Sequence, residues 1–436
     1  MSEKIFAVAG KPVLHSQSPF LFQAFFRALN IDASYTRISA SSAEEALQAA
    51  NAIKLTGMSV TSPLKVSMVN QLDRIDSHAD HINAVNTIVL KNNRWRGYNT
   101  DYKGVIQALK FNEINLNGCK VIILGAGGAA WAAAYGMKML KARKITIVNR
   151  TIDKAKSLAS RLDCDFAPLK TLSRHIEEAD VLISCIPVPL NELDVSIIRK
   201  NLIFMEANYK NRHSGQEIKK GEDGFRKVSG LDWLFFQAVP AFRFFTGLRI
   251  PNEIQKDIHT IFRTRKVPQK PHIALIGFMG VGKTAVGRIL AKEMGYEFVD
   301  TDLTIEQQSG LIIPEIFELR GEKSFRKQEA LVVQKTFQGS QPKVVSLGGG
   351  AVMDERTCAV VRENCDIIWL WASVRTLINR INLGTRPLLK SSDPVKKAEN
   401  LLAVRRPFYA RLGDLVINTE QETAKDVVRR IKDEMD

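Results

Sequence analysis

Ile273-Ala-Leu-Ile-Gly-Phe-Met-Gly-Val-Gly-Lys-Thr284 decides how this chain is read. An apolar run reaches Gly277, and Gly277, Gly280, Gly282, Lys283 and Thr284 then satisfy G-x-x-x-x-G-K-[ST]. A strand that breaks into a glycine-rich loop turns successive backbone N–H groups around phosphate oxygens. The helix that follows adds its positive N-terminal end. Here Gly280, Val281 and Gly282 form the cradle, Lys283 reaches the terminal phosphates, and the Thr284 hydroxyl holds Mg²⁺. Ala285 to Met294 supplies the required helix. A P-loop normally opens its domain, yet a long segment precedes this one.

A length of 436 residues predicts two or three domains. With 45% hydrophobic and 25% charged residues, the composition is that of a globular protein. The net charge of +16 is scattered, with no basic run beyond short clusters such as Arg263 to Lys270. It suits an enzyme whose ligands are anions better than a nucleic-acid binder. The five cysteines (119, 164, 185, 358 and 365) contain no C-x-x-C pair and read as reduced residues of a cytoplasmic protein. MSEKIFAV lacks the features of a signal peptide. Val121 to Leu140 is nearly uncharged, but Gly125-Ala-Gly-Gly128 breaks it into strand, loop and helix, so no membrane span is expected. A monomer is the expectation.

Upstream, Lys4 to Ala9 reads as a strand and Pro19 as the first turn of a helix, with Phe22, Phe25, Phe26 and Leu29 on its core face. Ser16 and Ser18 in the preceding loop could cap that helix or bind a polyol or carboxylate. Gly57 to Lys65 is a strand end and turn that puts Thr61 and Lys65 where open α/β sheets bind ligands. Asn83-Ala-Val-Asn-Thr87 and Gly97-Tyr-Asn-Thr-Asp101 are polar clusters beside short strands. A Lys near an Asp can pass a proton to an oxygen whose charge changes during reaction. Gly125, Ala126, Gly127 and Gly128 form a second nucleotide-type loop. After the next strand, where an NAD site carries an acid, stand Asn149, Arg150 and Thr151, which favour the 2′-phosphate of NADP(H).

GKPVLHSQSP, SVTSPLK, NAVNT, GYNTD, LGAGGAA, VNRT and GLDWLFFQAVPAF together closely resemble shikimate dehydrogenase over about residues 4–255. The resemblance implies a substrate domain (1–101, completed by 231–260) and a Rossmann-like NADP domain (102–230). It implies that Ser16, Ser18, Thr61, Lys65, Asn86, Asp101, Tyr209 and Gln237 line a shikimate site. Lys65 and Asp101 are its catalytic pair, and Lys154 stands where a second cation grips the 2′-phosphate. This chain departs from the family at Phe22-Gln23 (His-Asn), at Ser59 (Asn) and at Tyr209-Lys-Asn-Arg-His213.

The basic, proline-containing stretch 262–271 reads as a linker to a unit at 272–436. Beyond the P-loop, Asp300-Thr-Asp302 ends a strand with two acids, one for Mg²⁺ and one for the proton of an attacking hydroxyl. Gly348-Gly-Gly350 ends another, and Arg375, Arg380, Arg386 and Arg405 cluster late, as in a lid over ATP. GFMGVGKT, VDTD, FRKQE, SLGGG, TRPLL and RRPFY resemble shikimate kinase, which is a P-loop α/β fold with a parallel sheet, over about residues 272–435. That resemblance implies Lys283 and Thr284 at ATP and Mg²⁺, and Asp300 at the metal. Asp302, Arg326, Gly349, Gly350 and Arg405 fall at shikimate, with Asp302 beside the reacting hydroxyl, Arg380 on adenine and Arg386 in the lid. The two resemblances name consecutive steps: NADPH reduction of 3-dehydroshikimate, then ATP-dependent phosphorylation of shikimate. A quinate-type dehydrogenase fused to the kinase, and a half retained as a ligand sensor, are the alternatives.

Overall fold

The computed structural model describes residues 3–186, 201–209, 226–382, 387–389 and 391–435. The first layer begins with β1 (Lys4–Gly10), α1 (Ser18–Ala28), β2 (Ala33–Ser39), α2 (Ala43–Ala52) and β3 (Gly57–Val60). It continues through β4 (Arg74–Ile75), α3 (Ser77–Ile82), β5 (Thr87–Lys91), β6 (Arg94–Tyr98) and α4 (Asp101–Phe111). β1 is buried on both faces, as its unbroken apolar run requires of a parallel central strand. Pro19 lies in the first turn of α1, whose Phe22, Phe25 and Phe26 are buried. The Phe22 ring stacks on Tyr35 at 4.3 Å, and the Tyr35 hydroxyl donates to Ser59 Oγ at 2.7 Å. The two departures at Phe22 and Ser59 therefore meet on one buried tyrosine.

A six-stranded parallel sheet follows, built from β7 (Lys120–Leu124), α5 (Gly128–Met139), β8 (Lys144–Asn149), α6 (Ile152–Leu162) and β9 (Asp165–Pro168). α7 (Leu172–Glu177), β10 (Val181–Ser184), β11 (Ile203–Glu206) and β12 (Arg226–Val228) complete it, in the order β12-β11-β10-β7-β8-β9. Then α8 (Gly230–Thr246) returns to the first layer and packs on α4. A Cβ added at Gly104 of α4 would lie 2.7 Å from Gln237 Cβ. α9 (Asn252–Thr264) runs through the first residues of the expected linker because Phe262, one turn after Ile258, is buried in the core. Arg265 beyond it is held down too, its guanidinium 4.3 Å from the centre of the Phe20 ring and Nη1 donating to Gln17. Residues 265–270 carry no regular secondary structure.

The last part comprises β13 (His272–Ile276), α10 (Lys283–Met294), β14 (Glu297–Asp300), α11 (Thr301–Ser309), α12 (Ile313–Thr336) and β15 (Lys343–Ser346). α13 (Glu355–Asn364), β16 (Cys365–Trp371), α14 (Val374–Arg380), α15 (Pro394–Leu412), β17 (Leu415–Asn418) and α16 (Ala424–Met435) end it. Its strands run parallel in the order β14-β15-β13-β16-β17, but β17 is not an edge. It pairs in parallel with β2 at Val416 and Ile38, which joins the two parts into one 11-stranded sheet. Thr36 Oγ1 donates to Gly413 O at 2.8 Å across this seam. Each strand thus covers backbone groups that the other would leave unpaired. Eight neighbouring strands, from β14 through β17 and β2 to β3, all point the same way. The loops after β1 and β3 and the P-loop after β13 consequently emerge at one edge of one sheet. Among the described residues, no helix is long and apolar enough to cross a membrane.

Candidate active sites

The first site lies between the two sheets, in a cavity of about 760 Å³. Its walls include Ser16, Ser18, Thr61, Lys65, Asn86, Asp101, Tyr209 and Gln237, all eight residues expected at shikimate. Lys65 Nζ lies 2.6 Å from Asp101 Oδ2, with both side chains largely buried. Asp101 is set at the first turn of α4 by Asn99, whose Oδ1 accepts from the Asp101 and Tyr102 amides. Trp233 Nε1 of α8 donates to the Asp101 carbonyl. Asn86 is the hub of this wall. Its Nδ2 donates to Thr100 Oγ1 and Gln237 Oε1, both at 2.9 Å, and its Oδ1 accepts from the Thr100 amide. Such a connected buried network holds its members in single rotamers. Ser16 Oγ accepts from the Ser18 amide and donates to Ser18 Oγ at 3.3 Å, so the two hydroxyls are presented together. Asn99, Thr100 and Trp233 were not singled out in the sequence, although each stands inside a quoted motif.

The same cavity is walled by Ala126, Gly127, Gly128 and Lys154. Gly125 takes φ +112 at the end of β7, a conformation that favours glycine. A Cβ at Gly128 would stand 2.8 Å from Lys65 Cβ, so the Lys65 stem rests on the start of α5. Asn149 ends β8, and Arg150 and Thr151 lead from it into the N-terminus of α6, where anions are favoured. Asn149 Nδ2 donates to Thr151 O, which shapes this turn. Of the segment after Tyr209, residues 210–225 lie outside the described residues.

The second site begins at Gly277, Gly280 and Gly282, with φ of 141°, 80° and 100°. Lys283 Nζ donates to the carbonyls of Gly277 and Phe278, which keeps the ammonium at the mouth of the loop. Thr284 Oγ1 donates to Asp300 Oδ2 at 2.7 Å, and Asp300 Oδ1 caps α11 by accepting from the Asp302 amide. Around the triple glycine the expected acceptor residues converge. A Cβ at Gly348 would lie 2.3 Å from Glu329 Oε1 and 2.7 Å from Asp302 Oδ1. One at Gly350 would lie 2.3 Å from Arg326 Nη2, and one at Gly349 would meet Arg405 Nη1 at 3.4 Å. A side chain at Gly348 or Gly350 would displace these charged groups from their present positions. Tyr409 donates to Gly349 O, and buried Arg405 has no protein partner for its Nε among the described residues. Arg380 donates to Thr419 and to the Glu420 carbonyl, and Thr419 in turn reaches Val281 O of the P-loop. Arg386 lies outside the described residues.

Glu329 of the FRKQE motif was not singled out in the sequence. Its Oε2 lies 2.6 Å from Arg326 Nη1. Burial pushes its carboxyl up to about 7 against the pull of Arg326. Above that pH the carboxylate holds the guanidinium, and below it the charge and the hold are lost. The KM for the phosphoryl acceptor is therefore expected to rise as pH falls through about 7. Glu329→Gln should keep KM near the wild type's low-pH value across the range, which flattens the profile. A wild-type profile already flat through neutrality, measured by ADP release, would exclude this role.

The shikimate dehydrogenase substrate-binding-domain model matches residues 8–88, and the shikimate / quinate 5-dehydrogenase model matches 107–202. The shikimate kinase model matches 279–436. The NADP(+) shikimate dehydrogenase of Syntrophobacter fumaroxidans is 34% identical over 279 residues, which are 61% of this chain and 97% of that enzyme. The shikimate kinase of Hahella chejuensis is 41% identical over 169 residues, 38% of this chain and 88% of that enzyme. The chain belongs to both families. Its first part is a shikimate dehydrogenase and its last part a shikimate kinase. The dehydrogenase part is also similar in fold to the shikimate 5-dehydrogenase of Thermus thermophilus solved with NADP(H) and shikimate. That likeness has a TM-score of 0.53 at 27% identity and covers 59% of this chain and 99% of that one.

Proposed function

We propose that the chain carries out two consecutive reactions of the shikimate pathway: reduction of 3-dehydroshikimate to shikimate, and phosphorylation of shikimate to shikimate 3-phosphate. The carrying observation is the Lys65–Asp101 pair at 2.6 Å within a cavity walled by every expected substrate residue. NADPH, when bound, supplies the hydride. Lys65 protonates the carbonyl oxygen as negative charge develops on it, and Asp101 holds the ammonium toward that oxygen. Ser16, Ser18, Thr61, Asn86, Tyr209 and Gln237 bind the carboxylate and hydroxyls of the ring. Ala126, Gly127 and Gly128 take the pyrophosphate, and Arg150, Thr151 and Lys154 take the 2′-phosphate, a reading supported by the positive end of α6.

In the kinase part ATP supplies the phosphoryl group. The oxygen donors Thr284 and Asp300, 2.7 Å apart, suit a hard cation, and we assign Mg²⁺ to them. Asp302 accepts the proton of the attacking hydroxyl. Arg326 and Arg405 bind the acceptor's carboxylate, a role supported by the partnerless buried Nε of Arg405. Arg380 faces adenine and Arg386 the transferred phosphate. We assign the substrate domain to 1–101 with 231–260, the NADP domain to 102–230 and the kinase to 272–436. Five free cysteines favour a cytoplasmic setting.

Supplying 3-dehydroshikimate, NADPH and ATP together tests the reading. NADPH loss and shikimate 3-phosphate should appear in sequence. Loss of NADPH with no phosphorylated product would sink the kinase assignment, and no NADPH loss would sink that of the dehydrogenase.

A further inference from the structure

The loop of residues 11–17, between β1 and α1, brings Ser16 and Ser18 to the dehydrogenase cavity, yet its ties come from the far end of the chain. Glu434 on α16, the last helix of the kinase part, is buried. Its Oε2 accepts from the Val13 amide at 2.5 Å and the Leu14 amide at 3.0 Å. The neighbouring Asp433 lies 3.1 Å from Lys11 Nζ. Arg37 of β2 spans the seam: its Nε and Nη2 donate to Ser16 O at 3.1 and 2.7 Å, and its Nη1 donates to Asp414 O at 3.0 Å. The apolar side agrees, because Val13 is fully buried in one cluster with Val427, Val428 and Ile431 of α16. Arg430, one turn before Glu434, donates to Ser39 O at 2.8 Å and pairs with Glu45, which fixes α16 against β2 and α2.

We propose that the kinase part completes the dehydrogenase's substrate site, with Glu434 and Arg37 as positioning residues that set where Ser16 and Ser18 present their hydroxyls. A carboxylate accepting two amides replaces the water that an open loop would use, and an arginine fork on the Ser16 carbonyl fixes the peptide next to the binding hydroxyl. Both hydrogen bonds involve charged groups, the stronger class. The inference rests on the proposed role of Ser16 and Ser18, and it makes reduction of the keto acid dependent on a helix of the second enzyme.

Full-length Glu434→Gln keeps a side-chain oxygen that can still accept from the Val13 and Leu14 amides, but it loses the negative charge that strengthens both bonds. Its dehydrogenase KM for shikimate should rise roughly ten-fold, the loss expected of one charged hydrogen bond. kcat at saturating shikimate, and the KM for NADP⁺, should stay unchanged. Kinase turnover in the same sample reports folding of α16. Arg37→Lys, which keeps the charge and loses the fork, should shift the same KM, and it decides the matter if Glu434→Gln fails to fold. Ser16→Ala and Ser18→Ala serve as reference. An unmoved KM in folded Glu434→Gln or in Arg37→Lys, beside raised KM in the serine variants, overturns the inference alone. An unmoved KM in the serine variants overturns their assignment and the inference with it. A fall in kcat without a change in KM overturns the positioning role.

Discussion

Lys65→Met will slow NADPH-dependent reduction of 3-dehydroshikimate by about 10²–10⁴-fold and leave phosphorylation of added shikimate intact. Methionine keeps most of the stem that rests on the start of α5, so the nucleotide loop that contacts Lys65 keeps its neighbour. What disappears is the ammonium 2.6 Å from Asp101, and with it the proton donor proposed for the carbonyl oxygen. The remaining Asp101 carboxylate would face the developing negative charge, which makes the loss larger than removal of a neutral donor. The effect should fall on kcat, because the proton is needed in the transition state and not in binding. Rates followed at 340 nm and ADP release from the same preparation check it. Undiminished reduction would remove Lys65 from the chemistry.

Lys283→Met is the mirror experiment. Its ammonium sits at the carbonyls of Gly277 and Phe278, at the mouth of the P-loop, where a cation meets charge building on the transferred phosphoryl group. Removing one fixed charge from such a position is expected to lower kinase turnover by about 10²–10³-fold. The contacts that carry the seam between β17 and β2 involve Ile38, Thr36, Gly413 and Val416, and none of them involves Lys283. Dehydrogenase kinetics should thus be unaltered. A matching fall in NADPH consumption would instead mean that the two sites are coupled through the shared sheet. Retained ADP formation would reject the P-loop assignment.

The two loops were legible because their chemistry is contiguous. Gly280, Gly282, Lys283 and Thr284 lie within one turn and one helix start, and so do Gly125 to Gly128. Backbone conformation at a few adjacent residues decides whether N–H groups can encircle phosphate. The Lys65–Asp101 pair was legible as residue types and, through family resemblance, as a couple. Its distance was not, since the approach depends on how α4 sits against β3.

Glu329 shows the other limit. Its residue type and motif were visible, but the rise of its carboxyl to about 7 comes from burial beside Arg326, which no spacing encodes. The Asn86–Gln237 contact joins residues 151 apart and requires α8 to fold back on the first layer.

From its sequence alone this chain was legible as a shikimate dehydrogenase followed by a shikimate kinase, because the features that mark each family reside in short local patterns. Only the tertiary structure decided that the two share one sheet, with both sets of loops at its same edge, and that Glu434 grips an amide 421 residues away. Such contacts arise from apolar burial across the whole fold. That burial is non-directional: an apolar periodicity shows that a helix packs on something but does not name its partner.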